Sequence, residues 1–359
     1  ISTNQSVLRP YGVWLAISPF NFPAALTAGP TGSALVTGNT VVIKPSSDTC
    51  WTVSLLVDCL RQAGLPDGVV NLATGPGSTL GNALVESPDV SGITFTGSYD
   101  VGMSLYYNHT NLKYVRPTIL ELGGKNPTII SRHADVEDAA LGTVRSAFGL
   151  QGQKCSAASR VYIEEPLYDK VVQRMVELTE KFAVGDPTER QVYLGPVINK
   201  KAYADYQSYI TDLAAAGTIL TGGKQLKGGI YDKGYFCAPT IVADVPRDHP
   251  LWKKEMFLPI TMVERVKDLD EAMQLANDTI YGLTAGFYGD PSEIDWFYDH
   301  IQAGVVYANR PQGSTTGAWP GFQPFGGWKG SGSSGKNAGG LYYLPLYLHE
   351  QIRNTVRRA

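Results

Sequence analysis

A doubly wound α/β sheet followed by a second α/β unit is the fold the sequence predicts, and three observations carry it. Short apolar runs rich in Val, Ile and Thr recur through the first third of the chain, and helical patterns fill the gaps between them. The 359 residues are too many for one simple core. Strands that are continuously apolar must be covered on both faces, and intervening helices supply that cover while returning the chain to the same sheet edge.

Each element follows in order. The strand-like runs are "GVWLAI", "TVVIKP", "GVVNLAT", "SGITFTGS" and "PTILELGG", and helices are expected over 24–37, 49–63, 78–86 and 99–107. A second unit opens with "ADVEDAALGTVRSAFG", which places Val136, Ala140, Val144 and Ala147 on one helical face and stops at Gly149. The strand "SRVYIEE" comes next, then a helix from Pro166 to Phe182 with Leu167, Val171, Met175 and Leu178 inward. Further alternation runs to "GVVYANR". Residues 311–340 are dense in Gly, Ser and Pro and read as an ordered loop region. The tail "GLYYLPLYLHEQIRNTV" resumes strand character and is expected to pair with another element or another subunit. There is no internal repeat.

Composition narrows the function. Hydrophobic residues make up 43% and charged residues 18%, as in a packed globular protein. A net charge of −3 without a Lys/Arg run argues against nucleic acid, and no apolar stretch reaches membrane-spanning length. The five His show no ligand spacing, so no metal is expected. The four Cys form no CxxC pair; Cys50, Cys59 and Cys237 read as core residues. The chain starts at Ile1 and enters a strand almost at once, so an N-terminal portion is expected to be missing, and no signal peptide is seen.

Five features carry chemistry. "LATGPGSTLG" places Gly75, Gly77 and Gly81 at a strand-to-helix turn, one residue longer than the usual dinucleotide spacing, and "FTGSYDVG" offers a second such turn. Spacing leaves the choice between them open. Lys44 ends an apolar strand, where it either bonds ribose hydroxyls or snorkels to solvent. Glu121 ends another, as a buried general base or an exposed strand-end acid. Cys155, in "FGLQGQKCSAASR", follows the helix that stops at Gly149 and has small neighbours that leave a substrate room to approach.

Taken together, "SPFNFP", "VVIKPS", "FTGS", "LELGGKNP", "GQKCSA", "KEMFLPI" and "PFGGWKGSG" resemble, in order, the motifs of the aldehyde dehydrogenase superfamily. The resemblance spans essentially the whole chain. It implies a Rossmann-type cofactor domain, an α/β catalytic domain and an oligomerisation strand: residues 1–122, 123–325, and a return segment with tail at 326–359. Residues 1–8 would then be the end of a bridging hairpin. By motif, Cys155 resembles the nucleophile, Asn21 the oxyanion-hole amide that works with the Cys155 N–H, and Glu121 the base for the deacylating water. The cofactor would be NAD, with NADP left open. Its expected contacts are Ser18, Phe20, Lys44, Ser46, Gly77, Gly81, Gly97, Ser98, Val101, Leu122, Glu255 and Phe257, the pyrophosphate falling at Gly97–Ser98.

Ser156 after the nucleophile, and the loop from Ser314 to Leu344, resemble the 1-pyrroline-5-carboxylate dehydrogenase branch of that superfamily. In that branch neutral donors hold the substrate α-carboxylate, here Ser156, Gly317 and Ala318, while Phe22 and Phe325 pack the aliphatic chain. Two departures stand out: Leu258 where the family usually has Gly, and Ser47 where many NAD-preferring members have a carboxylate. The implied partners are a small-molecule substrate, further copies of the chain, and a fused or separate proline dehydrogenase. The implied compartment is the cytoplasm, with an organellar address left open. Rival readings are a dehydrogenase of another semialdehyde, such as succinate semialdehyde, and a catalytically silent fragment.

Overall fold

The computed structural model describes residues 2–108, 114–314 and 322–357. The chain begins with β1 (Ser2–Pro10), β2 (Val13–Ile17), α1 (Ala25–Val36), β3 (Thr40–Lys44), α2 (Cys50–Gln62) and β4 (Val70–Leu72). It continues with α3 (Asn82–Glu86), β5 (Gly92–Thr96), α4 (Tyr99–Tyr107) and β6 (Thr118–Glu121). Then come β7 (Asn126–Ile130), α5 (Val136–Phe148), β8 (Ala158–Glu164), α6 (Glu165–Glu180), α7 (Lys200–Ala216), β9 (Thr218–Thr221) and β10 (Thr240–Ala243). The last elements are β11 (Ile260–Val266), α8 (Leu269–Asn277), β12 (Tyr281–Gly282), β13 (Thr284–Tyr288), α9 (Ile294–His300), β14 (Val305–Ala308), β15 (Trp328–Lys329) and β16 (Leu348–Val356). Two compact units divide at Leu122–Gly123; residues 322–325 and Gly332 onward return to the first, and Gly326–Ser331 belongs to the second.

In the first unit a five-stranded sheet has the order β4-β3-β2-β5-β6, and every pair is parallel. Trp14, Leu15 and Ala16 are consecutive and all buried, because central β2 is covered on both faces. One face packs Trp14, Val41, Ile43 and Ile119 against Val53 and Val57 of α2 and against Tyr343 and Tyr347. The other packs Leu15, Ile93, Phe95 and Leu120 with Val85 and Leu122. The chain builds outward from β2 through β3 and β4, then returns to build β5 and β6 on the opposite side. That reversal is a topological switch point, and the loops leaving β2 and β5 open there. They carry Asn21 and Gly97–Ser98.

In the second unit a seven-stranded sheet runs β14-β13-β7-β8-β11-β10-β9, parallel except for β9 at the edge. Helix α5 begins where Asp135 accepts from the Asp138 N–H at 2.9 Å, and Glu137 and Asp138 place negative charge at the helix N-terminus. Its inward face includes Ala140, Val144 and Ala147, all buried. Immediately after it, Leu150 and Gln151 take positive φ (54° and 56°) and reverse the chain toward Cys155. Two residues held in the left-handed region are costly outside glycine, so this reversal is maintained by its surroundings.

The tail pairs within the chain: β16 runs antiparallel to β1, from Ser2 opposite Val356 to Pro10 opposite Leu348. One core assignment needs correction. Cys237 is buried and Cys50 half-buried, but Cys59 is exposed. The inward stripe of α2 is Val53–Val57, and Cys59, two residues beyond Val57, turns about 200° away from it.

Candidate functional site

Each unit carries its own set of candidate residues. In the first, Lys44 does not snorkel: it is 6% exposed, its ammonium donates to the Pro45 carbonyl at 2.8 Å, and burial lowers its pKa. A Cβ on Gly81 would stand 3.7 Å from the Lys44 chain, so these two expected cofactor contacts are neighbours, whereas Gly77 faces open space. Ser18 ties to the same strand end through its N–H to the Lys44 carbonyl (3.1 Å) and accepts from the Thr27 hydroxyl at 2.7 Å. Ser46 accepts from the Asp48 N–H, and Ser47 donates to the Gly75 carbonyl at 3.4 Å.

At the second turn, Gly97 donates to the Glu121 carbonyl at 3.1 Å, and Ser98 starts α4 without a side-chain cap. First-turn N–H groups left without that cap suit a phosphate. Leu122 packs so tightly under α4 that a Cβ on Gly102 would come within 2.3 Å of it, while Val101 faces outward. A strand-end Lys, paired glycine turns and an uncapped helix start fit a dinucleotide. Phe20, Asn21, Phe22 and Phe325 are half-buried, and the Phe325 backbone bridges Ala338.

Glu121 is not the exposed acid. Its Oε2 is enclosed with no hydrogen-bond partner among the described residues, and burial raises its pKa to about 8. Thr94, Ile119 and Glu121 lie on one sheet face, because Thr94 is paired with Ile119 and Thr96 with Glu121. The buried Tyr343 and Tyr347 hydroxyls, 3.0 Å apart, pack over that face.

In the second unit Cys155 is half-buried and occupies a tight turn closed by the Ala157 N–H on the Lys154 carbonyl at 3.1 Å. The Asn126 amide donates to the carbonyls of Cys155 (2.6 Å) and Ala157 (2.9 Å). Ser156 is 1% exposed, and its hydroxyl has no partner among the described residues. A buried hydroxyl without a partner costs about 1–3 kcal/mol unless a ligand satisfies it. Lys154 is buried, its ammonium 3.4 Å from the Arg145 carbonyl and 3.5 Å from the Ser314 hydroxyl; burial lowers its pKa to about 8 and the neighbouring Cys155 opposes that fall.

Glu255 turns inward to accept from the Gly124 N–H at 2.8 Å, and burial raises its pKa to about 7 against the opposing pull of that bond and of Lys125. Phe257 holds φ +55°. Leu258 is buried in the core with Met256 and Ile260, and its carbonyl lies where a Cβ on Gly152 would sit. Gly317 and Ala318 lie outside the described residues. Among the described residues no group of three His, Cys, Asp or Glu could hold a metal ion, and no helix is long and apolar enough to cross a membrane.

Sequence reasoning did not single out Asn126, Lys154, Tyr343 or Tyr347. Asn126 and Lys154 fall inside the motifs "LELGGKNP" and "GQKCSA", but their contacts need strands or loops remote in sequence.

Residues 2–352 match the aldehyde dehydrogenase family. The chain belongs to that family. It is 43% identical to a 1-pyrroline-5-carboxylate dehydrogenase of Bacillus cytotoxicus over 99% of its own length and 68% of the relative's. It superposes on the 1-pyrroline-5-carboxylate dehydrogenase of Thermus with bound NAD at a TM-score of 0.93, with 38% identity over 99% of this chain and 68% of that one. Proline utilization A of Bdellovibrio bacteriovorus aligns with a TM-score of 0.93 and 37% identity, covering 99% of this chain and 37% of its own.

Proposed function

We propose that the protein oxidises L-glutamate γ-semialdehyde to L-glutamate with NAD, in proline degradation. The observation that carries the substrate is the buried Ser156 hydroxyl directly beside Cys155, which has no hydrogen-bond partner among the described residues. It is a neutral donor held ready for an anionic group of the substrate, and the relatives named 1-pyrroline-5-carboxylate dehydrogenase support the same reading.

In this reading the Cys155 thiolate adds to the aldehyde carbon, and Asn21 with the Cys155 N–H holds the oxyanion. Bound NAD supplies the hydride acceptor that turns this adduct into a thioester. Glu121 then takes a proton from water, the hydroxide adds to the thioester carbonyl, and glutamate leaves as the thiolate returns. Lys44, Ser46, Gly81, Gly97 and Ser98 would hold the dinucleotide, with Ser18, Phe20, Gly77, Val101 and Leu122 around it and Glu255 and Phe257 at the nicotinamide end. Ser156, Gly317 and Ala318 would hold the α-carboxylate, with Phe22 and Phe325 along the chain.

Exposed Leu8, Ile352 and Val356 on the β1–β16 ribbon support association with further copies. The proline utilization A relative supports a proline dehydrogenase as the source of substrate, and we propose the cytoplasm as the compartment, with an organelle as the alternative. The test is NADH formation from glutamate semialdehyde, succinate semialdehyde and an aliphatic aldehyde, each with NAD and NADP. Turnover confined to glutamate semialdehyde is expected; preference for another aldehyde overturns the substrate.

A further inference from the structure

Among the described residues, two side chains reach the turn that presents Cys155 from outside it: the Thr284 hydroxyl, 3.5 Å from the Ser156 carbonyl, and, with shorter bonds, Asn126. Asn126 begins β7, is 3% exposed, and uses both amide hydrogens, one on the Cys155 carbonyl (2.6 Å) and one on the Ala157 carbonyl (2.9 Å). Its oxygen accepts from the Thr284 N–H at 3.0 Å, so a side-chain group answers a backbone donor of β13. The β7–β8 ladder slips by one residue at this place, between Asn126 and Pro127, and pairs regularly again from Thr128–Val161 to Ile130–Ile163. Pro127 has no N–H to offer a ladder, and the slip leaves Asn126 free to reach the turn. Gly124 completes the bracket: a Cβ there would lie 2.5 Å from the Asn126 amide oxygen and 2.7 Å from the Cys155 carbonyl.

We propose that Asn126 is the positioning residue of the nucleophile, its amide fixing the Cys155–Ser156 turn and with it the directions of the thiol and of the Ser156 hydroxyl. The two carbonyls it holds flank Ser156, so pinning both leaves the intervening backbone little freedom. The regular β7–β8 and β13–β7 pairing joins the strands through their own backbones, so the sheet does not need this amide. A neutral amide also suits the place: it supplies two donors without setting a negative charge beside a thiolate. The proposal rests on Cys155 being the nucleophile.

The test compares Asn126→Ala, which removes both donors, with Asn126→Ser, which keeps one. Alkylation of Cys155 by iodoacetamide is followed against pH by peptide mass, with exposed Cys59 as internal reference, alongside kcat, KM and NAD binding. Misplacing a reacting group by about 1 Å costs up to about a hundredfold. In Asn126→Ala, kcat is expected to fall at least tenfold and the Cys155 alkylation profile to shift. Cys59 reactivity, NAD affinity and cooperative melting should stay as in the wild type, with Asn126→Ser in between. A folded Ala variant with unchanged kcat and alkylation profile overturns the proposal; if that variant does not fold, the same result with Ser does. Alkylation needs no aldehyde, so a wrong substrate leaves this test intact. Wild-type turnover that survives complete Cys155 alkylation would instead overturn the nucleophile assignment.

Discussion

Replacing Glu121 by Gln should stabilise the protein, and by an amount that depends on pH. Burial raises the carboxyl pKa from 4.5 to about 8. At about 1.4 kcal/mol per pH unit, that shift is an upper limit of about 5 kcal/mol against the ionised form. The side chain is half-buried, and solvent reaching its open side reduces the figure to about 2–3 kcal/mol. The sign follows from linkage. Below pH 4.5 the carboxyl is protonated in both folded and unfolded chains and costs nothing. Between 4.5 and about 8 the unfolded chain releases a proton that the folded chain keeps, so wild-type stability falls as pH rises. The amide of Gln has nearly the shape of the protonated acid and carries no such dependence. At about 2–4 °C per kcal/mol for a domain of this size, Glu121→Gln should melt roughly 5–10 °C higher at pH 8. Thermal melts from pH 4.5 to 9 provide the assay. A difference in Tm that is flat across that range would refute the reasoning, because a lost contact without a proton has no reason to follow pH.

Other consequences concern the chemistry. Cys155→Ala should abolish NADH formation while leaving NAD binding at its wild-type affinity, read by fluorescence titration. Ser156→Ala should raise KM for glutamate semialdehyde by about ten- to a hundredfold, the value of one hydrogen bond to a charged group, and far less for an uncharged aldehyde; equal effects would remove the anchoring role. Deacylation in the wild type should quicken as pH rises through about 8, where Glu121 becomes a free base, and that rise should vanish in Glu121→Gln. Lys154→Met should slow Cys155 alkylation at pH 7, where the ammonium is charged, and match the wild type above pH 9, because the Lys154 pKa is lowered to about 8.

Much of this was legible in the chain because short-range physics decided it. The runs "GVWLAI" and "TVVIKP" became β2 and β3, and Val136, Ala140, Val144 and Ala147 share a helical stripe that any helix of that register would bury. Lys44 and Glu121 could be placed at strand ends, yet their surroundings could not be read. Burial of a charged tip depends on loops such as Pro45–Ser46 and on tyrosines more than 200 residues away. Cys59 misled because an apolar residue in a helical pattern says nothing of which face it takes until the Val53–Val57 stripe is set against a sheet. Asn126 stayed hidden for the opposite reason: it sits inside a recognisable motif, but its role exists only once β7, β8 and β13 lie side by side.

The most direct measurement is NADH formation by wild-type protein offered glutamate semialdehyde, succinate semialdehyde and an aliphatic aldehyde with NAD. Rapid turnover of glutamate semialdehyde alone, lost in Cys155→Ala, is the predicted result. Equal or faster turnover of either other aldehyde, or NADH formation surviving in Cys155→Ala, would contradict it.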